Sequence, residues 1–257
     1  MITLIFSKNR ACQLELLLGS LKYNKYEGII SVLYTYDDEF KSGYDKLIGM
    51  YPEVNFIKEI DFKEQVLNLL VDDYIMFLCD DDVMIRPFDQ NCNEFEEFKS
   101  NKDVLCLSLR LAKDYDNALL KGIKMRIPIF TDNKWHWKKY NNDWGYPMSV
   151  TSHIFDSIDL SSILKGHKFD NPNDMERVLS RNYPRKNLMI CREKASFINN
   201  LANQVQYKVP NKNLNISIKD LNNSFLKGNI IDLDDIVNKS NNYKSCFMLE
   251  EYRFLKK

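Results

Sequence analysis

In the first half of the chain, apolar residues fall into short unbroken runs, separated by stretches where they recur at helical spacing. Ile2–Phe6, Ile29–Tyr36, Val54–Ile57 and Tyr74–Cys79 are the runs. Such segments read as strands buried on both faces, as at the centre of an α/β sheet. Leu14, Leu17, Leu18 and Leu21 stand at i, i+3, i+4 and i+7, which predicts a helix with one apolar stripe. Tyr44–Met50 predicts a second helix. A third begins at Asp61, with Glu64 in capping-box position and Phe62, Val66 and Leu69 or Leu70 beneath. The order up to Asp82 is therefore β-α-β-α-β-α-β, with connections short enough for a parallel sheet.

Within Tyr74–Met84 the fourth run passes straight from Cys79 into three adjacent carboxylates, Asp80, Asp81 and Asp82. If the extended geometry persists, Asp80 and Asp82 share one side and Asp81 points the other way. Neighbouring carboxylates repel, which raises the pKa of one unless a cation neutralises them. A hard divalent ion held by oxygen ligands is one resolution. Strand ends in open α/β sheets are also where ligands bind. A metal-assisted nucleotide site is expected at Asp80–Asp82.

Beyond the triplet, Pro87 breaks the strand, Glu94–Lys99 predicts a short helix with Phe95 and Phe98 inward, and Val104–Leu109 predicts another strand. From Lys113 to Asn142 the periodicity fails. Trp135, His136, Trp137 and Tyr140 lie there among charges, as in an insertion or a mobile binding surface. Exposed aromatics stack on sugars or bases; burial is the commoner fate of such side chains. Trp144–Phe155 reads as a turn and a strand carrying His153, and a lone histidine is more often structural than functional. Phe169–Leu179 reads as a turn feeding a helix, with Asn173 as N-cap and Met175, Val178 and Leu179 as its stripe. Asp174 and Glu176 fall in its first turn, where capping and the helix dipole alone would account for them. Ile218–Phe225 and Leu233–Val237 predict helices, with a stop at Gly228 and a final edge strand at Cys246–Leu249. This tail would close a cleft or form a homo-oligomer contact.

Composition adds mostly exclusions. With 257 residues and a hydrophobic fraction of 44%, a sizeable core is affordable. Lysine plus arginine and aspartate plus glutamate both number 36, so no broad field is directed at nucleic acid or an anionic membrane. The N-terminus lacks secretory-signal features, and no run reaches the roughly 18 to 20 apolar residues that span a bilayer. Six scattered cysteines without a C-x-x-C pair suggest reduced core thiols in a cytoplasmic protein. The strand-turn-helix at Ile2–Leu21 opens like a Rossmann half, yet G-x-G-x-x-G is absent, which disfavours a dinucleotide. Lys8 and Arg10 on that turn are candidate phosphate or base contacts, or two solvated charges.

Taken together, these pieces resemble the GT-A class of nucleotide-sugar glycosyltransferases, and more loosely the family 2-like transferases of bacterial polysaccharide synthesis. Three stretches carry the likeness: Ile2-Thr-Leu-Ile-Phe-Ser-Lys-Asn-Arg10, the strand ending in Asp80-Asp81-Asp82 (the D-x-D motif), and Asn173-Asp174-Met175-Glu176, similar to the acidic segment that supplies the base in inverting members. The last departs from that pattern at Asn173. The likeness covers roughly residues 1 to 200.

The resemblance implies a Rossmann-like central mixed sheet flanked by helices. A nucleotide-binding half would span 1–110 and an acceptor half 111–200, with a C-terminal helical appendage, 201–257, packed on the same domain. It implies metal-dependent transfer of a sugar from a nucleotide-diphosphate sugar to a glycan, lipid-linked glycan or other hydroxyl acceptor, in surface polysaccharide synthesis. The location would be cytoplasmic or at the inner face of the membrane. Ser7, Lys8, Arg10, Asp37, Asp80 and Asp81 would bind the donor, with Asp80 on the ribose or a metal-bound water. Asp82 and His153 would hold Mn²⁺ or Mg²⁺. Asp174 would be the base, with Glu176 second, and Trp144 and Tyr146 would meet the acceptor. The rival readings are a haloacid-dehalogenase-type phosphatase with Asp80 as nucleophile, a non-catalytic nucleotide-sugar-binding domain, and a purely structural α/β domain. Against the phosphatase stand Met84, where threonine or valine is usual, and the late position of the strand.

Overall fold

A computed structural model describes residues 1–205 and 212–256. In chain order it begins β1 (Ile2–Lys8), α1 (Ala11–Tyr23), β2 (Ile29–Thr35), α2 (Lys41–Met50), β3 (Asn55–Lys58), α3 (Phe62–Leu69), β4 (Tyr74–Cys79) and β5 (Asp82–Met84). There follow α4 (Asn93–Ser100), β6 (Val104–Ala112), β7 (Asn117–Ala118), β8 (Ile123–Lys124), β9 (Lys134–His136), β10 (His153–Asp156), α5 (Ser157–Leu164) and α6 (Pro172–Asn182). The chain continues with β11 (Leu188–Arg192), β12 (Phe197–Asn200), α7 (Ile218–Leu226), β13 (Asn229–Ile231), α8 (Leu233–Ser240), β14 (Phe247–Met248) and β15 (Phe254–Lys256).

The main sheet has eight strands in the order β3-β2-β1-β4-β10-β6-β11-β9. The first four strands are parallel, as their apolar runs predict. β10 enters antiparallel between β4 and β6, so the sheet is mixed. Helices cover both faces, and the side-chain alternation of the central strands feeds two cores. Ile5, Met76 and Leu78 face α1 and α2, where Leu14, Leu17, Leu21 and Leu47 are buried. Leu4, Phe6, Ile75 and Phe77 face the other way, onto α3, α5 and α6. Burial on both sides is why these strands carry no polar alternation. Leu221, Phe225 and Ile236 of α7 and α8 join the first core, so this part of the C-terminal region packs directly on α1 and α2. Residues 206–211 and 257 of the expected appendage lie outside the described residues.

Three local expectations are corrected. The strand does not run through to Met84. The chain turns after Cys79, and β5 pairs with β12 in a separate sheet of order β14-β12-β5. Asp82 closes that turn, its Oδ2 accepting the Cys79 amide at 2.8 Å. The alternating placement expected for Asp80–Asp82 is lost with it.

The N-cap of α6 is Asn171 rather than Asn173. Its side chain accepts the Asp174 amide at 3.0 Å, with proline following at the first helical position.

The tryptophans after Lys113 are core rather than a mobile binding surface. Trp135 and Trp144 meet edge to face, 5.1 Å apart at 89°, with Phe130 edge-on to both. Both indole N–H groups are satisfied, by Trp144 O at 2.8 Å and Tyr115 O at 3.1 Å. Trp144 has no exposed surface and cannot stack on an acceptor. Gly145 beside it lets the backbones close: a Cβ there would sit 1.9 Å from Tyr140 O.

Candidate active site

Strand order reverses at β1, because the chain runs out through β2 to β3 and then returns to place β4 on the other side. In open α/β sheets the crevice at the carboxyl ends of the two strands flanking such a point is where ligands bind. Ser7–Arg10 leaves β1 into that crevice, and Asp80 leaves β4 beside it. The turn is held by Asn9, which adopts φ 61, a left-handed conformation that asparagine tolerates. Asn9 Nδ2 donates to Asp37 Oδ2 at 2.7 Å, and the Asp37 amide donates back to Asn9 Oδ1 at 2.8 Å. Ser7 Oγ and Tyr44 Oη share a hydrogen bond of 2.7 Å, and Tyr44 Oη accepts the Arg10 amide at 3.2 Å.

Arg10 crosses the crevice to the triplet. Its Nη1 donates to Asp80 Oδ1 at 2.9 Å and to Asp81 Oδ2 at 3.1 Å. Its Nε and Nη2 are held by Asn203, at 2.8 Å to Oδ1 and 2.5 Å to the backbone O. The guanidinium and the Asp80 carboxylate are 7% and 4% exposed. The Lys8 side chain is exposed, and only its amide reaches the site, donating to Asp80 Oδ2 at 3.1 Å. Asn199 Nδ2 donates to Asp81 Oδ1 at 2.9 Å and to Asp82 Oδ1 at 3.4 Å. Ser7, Arg10, Asp37, Asp80, Asp81 and Asp82 therefore do converge.

Three carboxylates around one guanidinium leave an excess of negative charge. Burial pushes Asp80 up to about 6, with Arg10 opposing. Burial and then Asp81 push Asp82 up to about 8, against the Cys79 amide and Asn199. Burial alone would lower Arg10, but Asp80 and Asp81 outweigh it and keep it protonated.

The donor set is all oxygen, which suits Mg²⁺ or Mn²⁺, and Asn199 Oδ1 is a buried oxygen with no hydrogen-bond partner. Every carboxylate of the triplet already has a partner, however. Among the described residues no three His, Cys, Asp or Glu side chains form a preset metal cage. The residues fit an ion that takes one carboxylate from the protein and the rest of its shell from substrate phosphates and water, not an all-protein cage.

A second polar cluster adjoins the first. Arg110, the seventh residue of β6, is buried. Its Nε donates to His153 Nε2 at 3.0 Å, and its Nη1 reaches Cys246 Sγ at 3.6 Å. His153 Nδ1 lies 3.6 Å from Cys106 Sγ. Both ring nitrogens face protein atoms, and burial and then Arg110 hold the imidazole neutral, well below its ordinary pKa. His153 is thus an acceptor for Arg110 rather than a metal ligand, which corrects that assignment. Among the described residues Arg110 forms no ion pair, and the carboxylates that feel its charge are Asp143, Glu176 and Asp82.

Glu176 and Asp174 separate here. Residues two apart on an α-helix point roughly 200° from one another, so only one can face the crevice. That one is Glu176: its Oε1 accepts the Val150 amide at 3.1 Å, it lies beside Tyr146 and Ser149, and burial raises its pKa. Its charge reaches Cys79, next to the triplet. Asp174 points elsewhere, bonded to Asn171 Nδ2 at 2.8 Å and to Arg177 Nη2 at 2.9 Å. Tyr146 is 40% exposed and borders Glu176.

Arg110, Asn199 and Asn203 complete the site without having been singled out. Arg110 had a signal: it is the lone charge in the largely apolar run Val104–Ala112, and a charge in such a run calls for a reason. The asparagines had none, since an Asn-rich tail reads as solvated loop.

No family model matches the chain. It is similar to the bifunctional glycosyltransferase pgtA of Dictyostelium discoideum, 33% identical over 190 residues, which is 63% of this chain and 24% of that protein. The chain thus spans about a quarter of the length of that relative. Solved structures with some likeness include the mannosyltransferase PcManGT from Pyrobaculum calidifontis in complex with GDP-Man and Mn²⁺, at 13% identity and TM-score 0.43, covering 74% of this chain and 54% of that one. The galactosyltransferase LgtC with donor and acceptor sugar analogues follows at 13% identity and TM-score 0.35, covering 71% and 70%.

Proposed function

We propose that this chain is a glycosyltransferase of GT-A type. It would move a sugar from a nucleotide-diphosphate sugar to a hydroxyl on a glycan or lipid-linked glycan, as in the assembly of surface polysaccharide. The observation that carries the reading is the two ion pairs from the buried Arg10 to Asp80 and Asp81, with Asp82 beside them, at the switch point between β1 and β4. The 33% identity to a glycosyltransferase over 63% of this chain supports it.

In this reading Asp37 and the Ser7–Arg10 turn hold the nucleoside and diphosphate. The first turn of α1 carries no acidic residue and no side-chain cap, which leaves its amides to favour a phosphate. Asp82 is the carboxylate offered to Mn²⁺ or Mg²⁺, with Asp80 on the ribose or a metal-bound water. The ion, when bound, neutralises charge developing on the leaving diphosphate.

Glu176 replaces Asp174 as the base. Its raised pKa suits a group that takes the acceptor proton as the acceptor oxygen attacks the anomeric carbon and the bond to diphosphate breaks. Tyr146 borders the acceptor side. Arg110 supplies a fixed positive charge between Glu176 and Asp82, held in place by His153.

The phosphatase reading loses support because Arg10 is paired with Asp80 at 2.9 Å, which withdraws charge from the carboxylate that would have to act as nucleophile. Among the described residues no helix is long and apolar enough to cross a membrane; a site of action on the inner membrane face remains part of the proposal. A screen of nucleotide sugars by donor hydrolysis, with and without Mn²⁺, tests the reading. Release of one nucleoside diphosphate supports it, and release of inorganic phosphate from phosphate esters would replace it.

A further inference from the structure

Between Leu120 and Asn142 the chain carries six basic side chains, Lys121, Lys124, Arg126, Lys134, Lys138 and Lys139, against one acidic residue, Asp132. The same stretch exposes Leu120, Ile123, Ile127 and Ile129, the last at 76%, and none of the four joins either core. A chain of zero net charge has thus gathered positive charge and apolar surface in one place.

Loop hydrogen bonds make the place contiguous. β7 and β8 form a hairpin whose tip turns at Gly122, φ 63. Lys121 Nζ at the tip donates to Asn141 O at 3.1 Å, and the Ile129 amide donates to Tyr140 Oη at 3.3 Å. The hairpin tip, the Arg126–Ile129 stretch and Tyr140–Asn141 are therefore neighbours, and Lys138 and Lys139 precede Tyr140 directly in the chain, Lys138 Nζ donating to Asn187 Oδ1 at 3.0 Å. Lys124 and Lys134 are paired with Asp116 and Glu97. Lys121, Arg126, Lys138 and Lys139 form no ion pair among the described residues.

We infer that this surface docks on an anionic lipid bilayer. Exposed isoleucines flanked by lysines match what a headgroup boundary accepts: apolar side chains sink to the acyl edge while the ammonium groups stay with acidic headgroups. A nucleic acid fits less well. Stacking platforms need outward aromatics, and Trp135 and Trp137 are turned inward at 1% and 6% exposure. The inference builds on the inner-face location in the proposed function and on no step of the transfer chemistry.

Flotation of the full chain with phosphatidylcholine vesicles, with and without phosphatidylglycerol, tests it. The wild type floats with the anionic vesicles only, and less at high salt. The combined variant Lys121→Glu, Arg126→Glu, Lys138→Glu and Lys139→Glu lowers partitioning by at least about 100-fold, from about fivefold per basic residue. Ile127→Ser with Ile129→Ser lowers it by about tenfold. Lys25→Glu with Lys102→Glu and Lys227→Glu, on other surfaces, changes it less than about twofold, and wild-type thermal unfolding verifies that each variant folds.

A wild type that ignores anionic vesicles overturns the inference, as does a four-charge variant that behaves like the control. Heparin binding as tight as vesicle binding, and indifferent to the serine substitutions, would assign the surface to soluble polyanions instead. Vesicle binding uses neither donor nor metal, so its failure leaves the transferase reading standing, and the converse holds.

Discussion

Replacing Arg10 with methionine keeps the stem of the side chain and removes the one cation that the triplet holds. The wild-type contacts are two ion pairs of 2.9 and 3.1 Å and two bonds to Asn203. Removing one partner of a buried pair leaves uncompensated charge and costs about 3–5 kcal/mol. For a chain of this size the loss corresponds to a fall in Tm of roughly 10 °C. The deficit depends on pH. Asp80 and Asp82 have folded-state pKa values raised to about 6 and about 8, so they bind protons more tightly folded than unfolded. Lowering the pH through those values therefore favours the folded state, and without Arg10 the Asp80 value rises further. Thermal unfolding of Arg10→Met should show the full deficit at pH 8 and a clearly smaller one at pH 5.5. Millimolar Mn²⁺ should raise the Tm of the variant more than that of the wild type, because the ion would find the carboxylates unshielded. A variant within 2 °C of wild type at pH 8, or a deficit equal at both pH values, would refute the assignment of Arg10 as the counter-cation.

The other substitutions separate roles. Glu176→Gln should lower transfer by about 10²–10⁴-fold with donor binding unchanged, whereas Asp174→Asn should leave turnover within a few-fold; the opposite pattern in steady-state kinetics would return the base to Asp174. Because the base must be ionised and its pKa is raised by burial, kcat should climb with pH along a limb lying above the ordinary glutamate value, and a profile flat from pH 5 upward would count against it. His153→Asn should cost about 1–3 kcal/mol in urea unfolding by leaving Arg110 Nε without its acceptor, yet leave Mn²⁺ affinity unaltered; a matching loss of metal affinity would restore it as a ligand. Trp144→Ala should cost about 3–5 kcal/mol, with any enzyme that stays folded keeping its acceptor KM, and a selective rise in KM would place the indole at the acceptor after all.

Much of the nucleotide-side architecture was legible because it rests on local rules. Apolar runs with leucines at helical spacing between them can form only buried strands and amphipathic helices, and β1 to β4 follow them closely. Asp61 caps α3 as its position predicts, accepting the Glu64 amide at 3.0 Å. What escaped depends on contacts between residues distant in the chain. Arg10 and Asn203 are 193 residues apart, and no local pattern announces that the tail would clasp the first turn. The break after Cys79 falls at the carboxylates themselves and rests on Asp82 accepting the Cys79 amide, a contact that no apolar pattern announces. Asp174 and Glu176 look equivalent as acidic residues in one motif, and only the position of Val150 decides which face of α6 meets the crevice. The tryptophans looked like a binding surface because their burial comes from one another, not from a periodic stripe.

The central claim is that the carboxylates gathered by Arg10 at the ends of β1 and β4 bind a nucleotide diphosphate with a divalent ion. Calorimetric titration of UDP and GDP in the presence and absence of Mn²⁺, on wild type and on Asp82→Ala, tests it most directly. Metal-dependent binding of one nucleotide by the wild type, lost in Asp82→Ala while the variant remains folded, is the predicted result. Equal binding by the two proteins, or no metal-dependent binding of either nucleotide to the wild type, would contradict it.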